Sequence, residues 1–261
     1  MLLIQTVDDI KARLQNADQE ELAVMERALE ADTRKGVIVA LERARRRIEA
    51  QQREEQRLRS LYEYEDSLTA GKMALGLDEV GRGSVAGPLA VGAVVLNKDS
   101  HICGLDDSKK IAAPMREAIA AEIKEKAVFW TVCYVEAEEI DAVGMSACLR
   151  IAFRRAIAAC ETSGVIPETI LLDGNALSLD EREINVVKGD ARCASIAAAS
   201  IVAKVERDSL MKSLAEKYPA YGFDASKGYA SADHIAAIQT YGLSPQHRKS
   251  FCTSFLQEKL F

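Results

Sequence analysis

Long apolar runs are missing from this chain of 261 residues: no stretch approaches the roughly 18 consecutive apolar residues of a membrane span. There is no Gly-X-Y period and no low-complexity tract, which excludes fibrous and repetitive architectures. Histidine is scarce, with three residues, and none is spaced with a cysteine as a zinc site requires. The six cysteines form no C-x-x-C pair, and most lie inside apolar runs. They read as small buried hydrophobes in a reducing compartment. No Ser-centred nucleophile elbow occurs. Met1-Leu2-Leu3-Ile4 meets Asp8 and Asp9 too soon for a signal or transit peptide, so a cytoplasmic protein is expected. Disorder is excluded by 48% hydrophobic residues against a net charge of only −6. Taken alone, that negative charge argues against a nucleic-acid partner.

Proline is also absent from the first 70 residues, where Gly36 is the single glycine. A stretch so free of breakers, rich in Ala, Leu, Glu, Gln and Arg, predicts an all-helical extension over 1–70, followed by a second domain over 71–261. Thr6 with Asp9 resembles a capping box, Asp18 can open a second helix to about Glu30, and Asp32 or Thr33 a third to about Asp66. In the third, Val37, Ile38, Leu41, Ala44 and Ile48 recur at helical spacing, and the stripe fades after Ala50. Residues 34–59 hold nine basic and four acidic side chains, Arg45, Arg46 and Arg47 among them. This is either an ordinary solvated face or a local phosphate-facing stripe.

Beyond Lys72 the pattern becomes α/β. Met73–Asp78 and Pro88–Leu96 are apolar runs flanking a Gly-rich turn, which predicts neighbouring antiparallel strands. Helices follow at Pro114–Lys126, Glu136–Thr162 with a break at Gly144, Arg192–Glu216, Ala232–Tyr241 and Lys249–Leu260. Strands are expected at Val128–Val135, Thr169–Asp173 and Ile184–Val187. Three sequential strands and then alternation predict a mixed sheet covered by helices. The Ala-rich Arg192–Glu216 segment is apolar on several sides and should be buried.

Several carboxylates do not fit that core. Asp78 and Glu79 interrupt an apolar strand and point to opposite faces. They are costly there unless paired, bound to a metal, or at a strand end reaching solvent. Asp173 closes Ile170-Leu171-Leu172 and could equally begin an Asp-Gly turn. Asp190 precedes the buried helix and could equally cap it. A cluster of Asp and Glu without His or Cys suits Mg²⁺ or Mn²⁺. Two such ions about 3.5–4 Å apart can activate water and stabilise a leaving oxygen in phosphodiester hydrolysis. His247, beside Arg248 and Lys249 in a polar segment, reads as a surface or capping residue.

Asp78-Glu79-Val80-Gly81-Arg82-Gly83, then Ala86-Gly87-Pro88, resembles the opening motif of bacterial ribonuclease HII. Further segments follow in that family's order: Asp107-Ser108-Lys109-Lys110, Leu172-Asp173-Gly174, Lys188-Gly189-Asp190, Ala198 to Asp208, Tyr218 to Phe223, Lys227-Gly228-Tyr229 and His247 to Phe251. The resemblance implies an RNase H-like α/β fold with a helical C-terminal part. It implies cleavage of RNA in RNA–DNA hybrids, and 5′ of single ribonucleotides in duplex DNA, in a role of ribonucleotide removal. By motif position, Asp78, Glu79, Asp173 and Asp190 would be catalytic and would hold two Mg²⁺ or Mn²⁺ ions. Gly81, Arg82 and Gly83 would read the 2′-hydroxyl through their backbone, and Tyr229 would pack against the sugar. Ser108, Lys109, Arg192 and Lys204 are candidates for substrate contact or for orienting carboxylates, Lys204 equally for a structural role. Arg45, Arg46 and Arg47 could add phosphate contacts.

Residues 1–70 resemble the N-terminal extension of some Gram-positive ribonucleases HII. Ser84 stands where the family usually has Pro, which should loosen the turn; Ser226 replaces a frequent His, and Gly144-Met145 the usual Asn-Ile. A monomer without membrane attachment is expected. The rival readings are an RNase H-fold nuclease acting on DNA, of resolvase or recombinase type, and a non-catalytic nucleic-acid-binding module. The −6 then divides as −3 for 1–70 and −3 for 71–261, with four acidic residues assigned to cations that offset them.

Overall fold

The computed structural model describes residues 6–97, 99 and 101–256. The chain divides into two compact units, up to Arg59 and from Ser60 on. The first contains α1 (Val7–Asn16), α2 (Gln19–Ala28) and most of α3 (Lys35–Thr69). The capping box at α1 is made: Thr6 Oγ1 accepts from the Asp9 amide at 3.2 Å and Asp9 Oδ2 accepts from the Thr6 amide at 3.1 Å. Asp18 caps α2 through the Glu21 amide at 2.8 Å. The third helix starts slightly later than expected, because the Asp32 carboxylate binds the Arg34 amide and side chain instead. Ile10, Leu14, Leu22, Met25, Val37, Ala44 and Ile48 form one buried core. Ile38 lies outside it, exposed. After Ile48 the apolar stripe stops, and residues 49–56 are all exposed.

In the second unit, β1 (Ala74–Val80), β2 (Leu89–Val95), β3 (Phe129–Val135), β4 (Thr169–Asp173) and β5 (Glu183–Val186) form a sheet in the order β3-β2-β1-β4-β5. The β1–β2 and β2–β3 pairs are antiparallel, and β1–β4 and β4–β5 are parallel. The helices are α4 (Ala113–Lys126), α5 (Ala137–Val143), α6 (Met145–Thr162), α7 (Ala194–Lys217), α8 (Phe223–Ser226), α9 (Ala232–Tyr241) and α10 (Lys249–Leu256). Gly144 breaks α5 from α6 at φ +84°, a conformation that favours glycine. The expected continuation of α10 to Leu260 lies outside the described residues. Short 3₁₀ turns at Gly189–Ala191 and Pro219–Tyr221, and α8, have no periodic signal and were not foreseen.

Alternation along β1 sorts its side chains. Leu75 and Leu77 join Ala152, Phe153 and Ala156 of α6, whereas Ala74 joins Cys193 and Ile196 on the α7 side. The α7 face is built for close approach. A Cβ on Gly76 would collide with the Ser195 backbone, and one on Gly92 with the Ala199 carbonyl. Small residues therefore let α7 rest on the sheet where Asp78 emerges. The end of α3 also belongs here: Tyr64 and Leu68 pack beside Ala74, Leu171 and Ile196. Glu65 accepts the Ser195 amide at 2.7 Å. It thereby caps α7, whose own cap residue, Cys193, supplies no side-chain bond.

Candidate active site

Asp78 lies opposite Gly92, on the α7 face of β1, and Glu79 points to the α6 face. Leu77 and Leu172 are in register on parallel strands, so the next residue of each, Asp78 and Asp173, is a carboxylate on the same face at adjacent strand ends. Asp190 arrives from the 3₁₀ turn before α7. It does not cap that helix, because the cap position is Cys193. The turn is held to β4 by the Gly189 amide, which donates to Asp173 Oδ1 at 2.5 Å.

The electrostatics show that the four groups sense one another. Burial, at 8% exposure, pushes the Asp78 carboxyl up to about 8, and Glu79, Asp173 and Asp190 add to the rise. A hydrogen bond from Ser200 of α7 works in the opposite sense. Glu79 is raised by burial, partly relieved by Arg82, whose guanidinium stands 3.5 Å away. Asp190 is raised by burial and by Asp173 and Asp107, and lowered by Lys109. A carboxyl raised that far is largely protonated at neutral pH, and a cation would be needed to hold it ionised. On the α6 face a cavity of about 380 Å³ opens, lined by Glu79, Arg82, Leu149, Phe153, Asp173 and Gly174 among others.

A donor set of carboxylate oxygens suits a hard divalent cation. Among the described residues, no three His, Cys, Asp or Glu side chains stand close enough to hold an ion between them. The fit is that of an open site with surplus negative charge. Mg²⁺ commonly takes one or two carboxylates and fills its shell with water and phosphate oxygens.

The loop after β1 is fastened by residues that sequence reasoning passed over. Gly81 has φ +82°, and a Cβ there would strike the Arg207 guanidinium. Arg207, fully buried on α7, donates to the carbonyls of Pro88 at 2.9 Å, Lys227 at 2.9 Å and Ala86 at 3.2 Å, and to Ser84 Oγ at 2.8 Å. Arg248, also buried, donates to the Gly87 carbonyl at 2.9 Å and the Arg82 carbonyl at 3.1 Å. Ser84 corrects an expectation. It does not loosen the turn: besides accepting from Arg207, its hydroxyl donates to the Gly81 carbonyl at 2.7 Å. Ser226 likewise closes its own turn by accepting the Gly228 amide at 3.2 Å. His247 is a second correction: it is buried at 2% exposure, bonded to His234 and Ser244. The available signal for Arg207 was a charge on a helix apolar on several sides.

The remaining expected residues divide. Gly83 is open, with nothing within 4 Å of a built Cβ. Tyr229 is 40% exposed, its ring 5.8 Å from the Arg207 guanidinium. Ser108 is buried, with its hydroxyl 3.0 Å from that of Ser200, and Lys109 acts on Asp190. Ser108, through Ser200, and Lys109 thus reach the carboxylates. Arg192 instead stacks on Tyr64 at 4.2 Å, and Lys204 pairs with Asp208 at 2.7 Å. Their bonds lie within the scaffold. In the N-terminal unit, Arg45 pairs with Glu26 and Arg47 binds the Ala17 carbonyl, so both join helices to one another. Arg46 is exposed.

Comparison with known proteins identifies the family and the fold. Residues 75–254 match the family described as Ribonuclease HII, and residues 6–69 match its N-terminal domain. Ribonuclease HII of Geobacillus thermodenitrificans is 41% identical, covering 94% of each chain. That of Staphylococcus saprophyticus is 37% identical, covering 95% of this chain and 96% of the relative. Among solved structures, the ribonuclease HII of Archaeoglobus fulgidus, in its complex with PCNA, aligns with a TM-score of 0.60 at 28% identity. That alignment covers 68% of this chain and 94% of the other.

Proposed function

The chain belongs to the ribonuclease HII family and is a type 2 ribonuclease H, and on that premise we propose which bonds it cuts and with which residues. It hydrolyses RNA paired with DNA and cuts 5′ of single ribonucleotides in duplex DNA, leaving a 3′-hydroxyl and a 5′-phosphate. The burial of the Asp78 carboxyl among like-charged Glu79, Asp173 and Asp190, which raises it to about 8, carries this reading. Two Mg²⁺ or Mn²⁺ ions, when bound, supply water activation and charge stabilisation at the leaving oxygen. Asp78, Glu79, Asp173 and Asp190 are the residues that would hold them.

The protein's own residues do the rest. Gly81 and Gly83 bring backbone amides to the sugar, where the 2′-hydroxyl distinguishes RNA from DNA. The open space at Gly83 supports that role. Tyr229, exposed beside the same loop, packs on the sugar. Lys109 steadies Asp190, and Ser108 steadies Ser200 against Asp78. We take residues 1–70 as a helical extension and 71–261 as the catalytic domain of a monomer that removes ribonucleotides from DNA. Among the described residues no helix is long and apolar enough to cross a membrane. The described cysteines are free thiols, which supports action in the cytoplasm.

Incubating duplex DNA carrying one ribonucleotide with the protein and Mg²⁺ or Mn²⁺ tests this. A single cut 5′ of the ribonucleotide is expected. Intact duplex with both metals, or full activity in Asp78→Asn, would overturn it. Equal cleavage of an all-DNA duplex would favour the DNA-nuclease alternative.

A further inference from the structure

Away from the carboxylates, two histidines form a buried pair. His234 on α9 and His247 before α10 are 1% and 2% exposed. Their Nε2 atoms face each other at 3.0 Å. The outer partners decide which nitrogen carries each proton. The Ser244 amide donates to His247 Nδ1 at 2.9 Å, so that atom bears a lone pair. A neutral His247 therefore holds its proton on Nε2 and donates it to His234. His234 in turn holds its proton on Nδ1, which donates to the Tyr229 carbonyl at 2.8 Å. Both ends demand the same direction, and every ring nitrogen is satisfied only while both rings are neutral.

The surroundings favour that state. Burial lowers both pKa values, and His234 adds to the lowering at His247. Tyr221 packs on His247 at 4.8 Å and Phe223 on His234 at 5.4 Å. Of the charged neighbours in the chain, Asp233 and Lys249 are exposed and Arg248 is turned to the Gly87 and Arg82 carbonyls. The relay ends where substrate is expected. The Gly228 carbonyl, next to Tyr229, accepts the Val85 and Ala86 amides at 2.8 and 3.1 Å. A Cβ on Gly228 would collide with the Ala86 carbonyl. The turn that presents Tyr229 is therefore seated directly on the strap that follows Gly81–Gly83.

We propose that His234 and His247 are positioning residues: a one-way hydrogen-bond relay from Ser244 to the Tyr229 carbonyl that aims the Tyr229 ring at the sugar. The proposal rests on the role given to Tyr229 above. It explains why two polar rings are buried against each other.

A double-mutant cycle tests it. His234→Ala is expected to lower kcat/KM on the single-ribonucleotide duplex about tenfold. In a Tyr229→Ala background the same change should cost less than about twofold, because the relay acts through that residue. His234→Asn, whose amide can donate to the same carbonyl, should recover most of the loss; His247→Ala, which removes the donor to His234, replaces His234→Ala in the cycle if that variant does not fold. An equal loss in both backgrounds, or none in either, would overturn the relay. Nitrogen-15 NMR of the unaltered protein is the independent measure. It should show the proton on Nδ1 of His234 and on Nε2 of His247 at neutral pH. The reverse tautomers, or a charged ring, would overturn the relay even if every variant failed to fold. If the unaltered protein leaves the duplex intact, the assigned function falls and the tautomers alone decide the relay.

Discussion

Two clusters of charge flank the loop after β1, and they are treated in opposite ways. On one side Glu79, Asp173 and Asp190 act on Asp78 as like charges, and its carboxyl is raised to about 8 by burial and by them. On the other, Arg207 and Arg248 are more deeply buried, yet their donors end on carbonyls and a hydroxyl. Burial lowers Arg248 only to about 10, so it remains charged at neutral pH. The difference teaches how to separate a functional charge from a structural one. A buried charge with its hydrogen bonds made holds the fold, whereas one facing like charges needs a cation from outside.

Exchanging the two treatments should break this contrast most sharply. Asp78→Asn should cost about a thousandfold in cleavage rate. Its midpoint in urea, without metal, should hold or rise, because the amide avoids the cost of burying or protonating a carboxyl there. Arg207→Met should do the reverse in kind. It leaves three carbonyls without their donor and should destabilise the fold by about 3–5 kcal/mol in the same titration. A marked loss of stability in Asp78→Asn would end the distinction.

The buried histidines predict an acid limit for the arginine side. The neutral ring is favoured in the fold, with the folded pKa of His247 about 4 against 6.5 for the free ring. That contribution is complete above pH 6.5 and is lost as pH falls to about 4, amounting to about 2–3 kcal/mol. His247→Gln should flatten the urea midpoint across that window. A smaller effect is expected at Ser84. Ser84→Ala removes one hydrogen bond to Arg207 and one to Gly81 and should cost about 1–2 kcal/mol. The smallest belongs to the N-terminal unit. Arg46→Ala should weaken duplex binding slightly and lower the salt slope by about 1, while Arg45→Ala acts on stability through Glu26. An unchanged slope would leave the whole stripe structural.

The strands and most helices were legible because periodicity and breakers are local. Thr169–Asp173 and Ala232–Tyr241 have the expected bounds. The positions of Asp78 and Asp173 at the ends of apolar runs were legible too, since a charge closing such a run stands out in one dimension. Arg207, Arg248 and the histidines were not. His247-Arg248-Lys249 looks like a solvated segment, and what buries it lies far away in sequence, at Arg82, Gly87 and His234. Backbone carbonyls accept equally from any residue type, so an arginine's carbonyl partners leave no mark in composition. Lys204 and Arg192, read from motif position as substrate contacts or orienting residues, with a structural role equally open for Lys204, have local partners in Asp208 and Tyr64.

The sequence by itself determined the α/β order, the helical N-terminal region, the family and the carboxylates available for chemistry, because these rest on residue type and short-range spacing. Tertiary structure alone decided which polar groups are sealed in, which way the histidine protons point, and that Ser84 tightens the turn it was expected to loosen. Those outcomes depend on which backbone atoms meet across distances of up to 166 residues, and hydrogen-bond direction follows from the partner at each end.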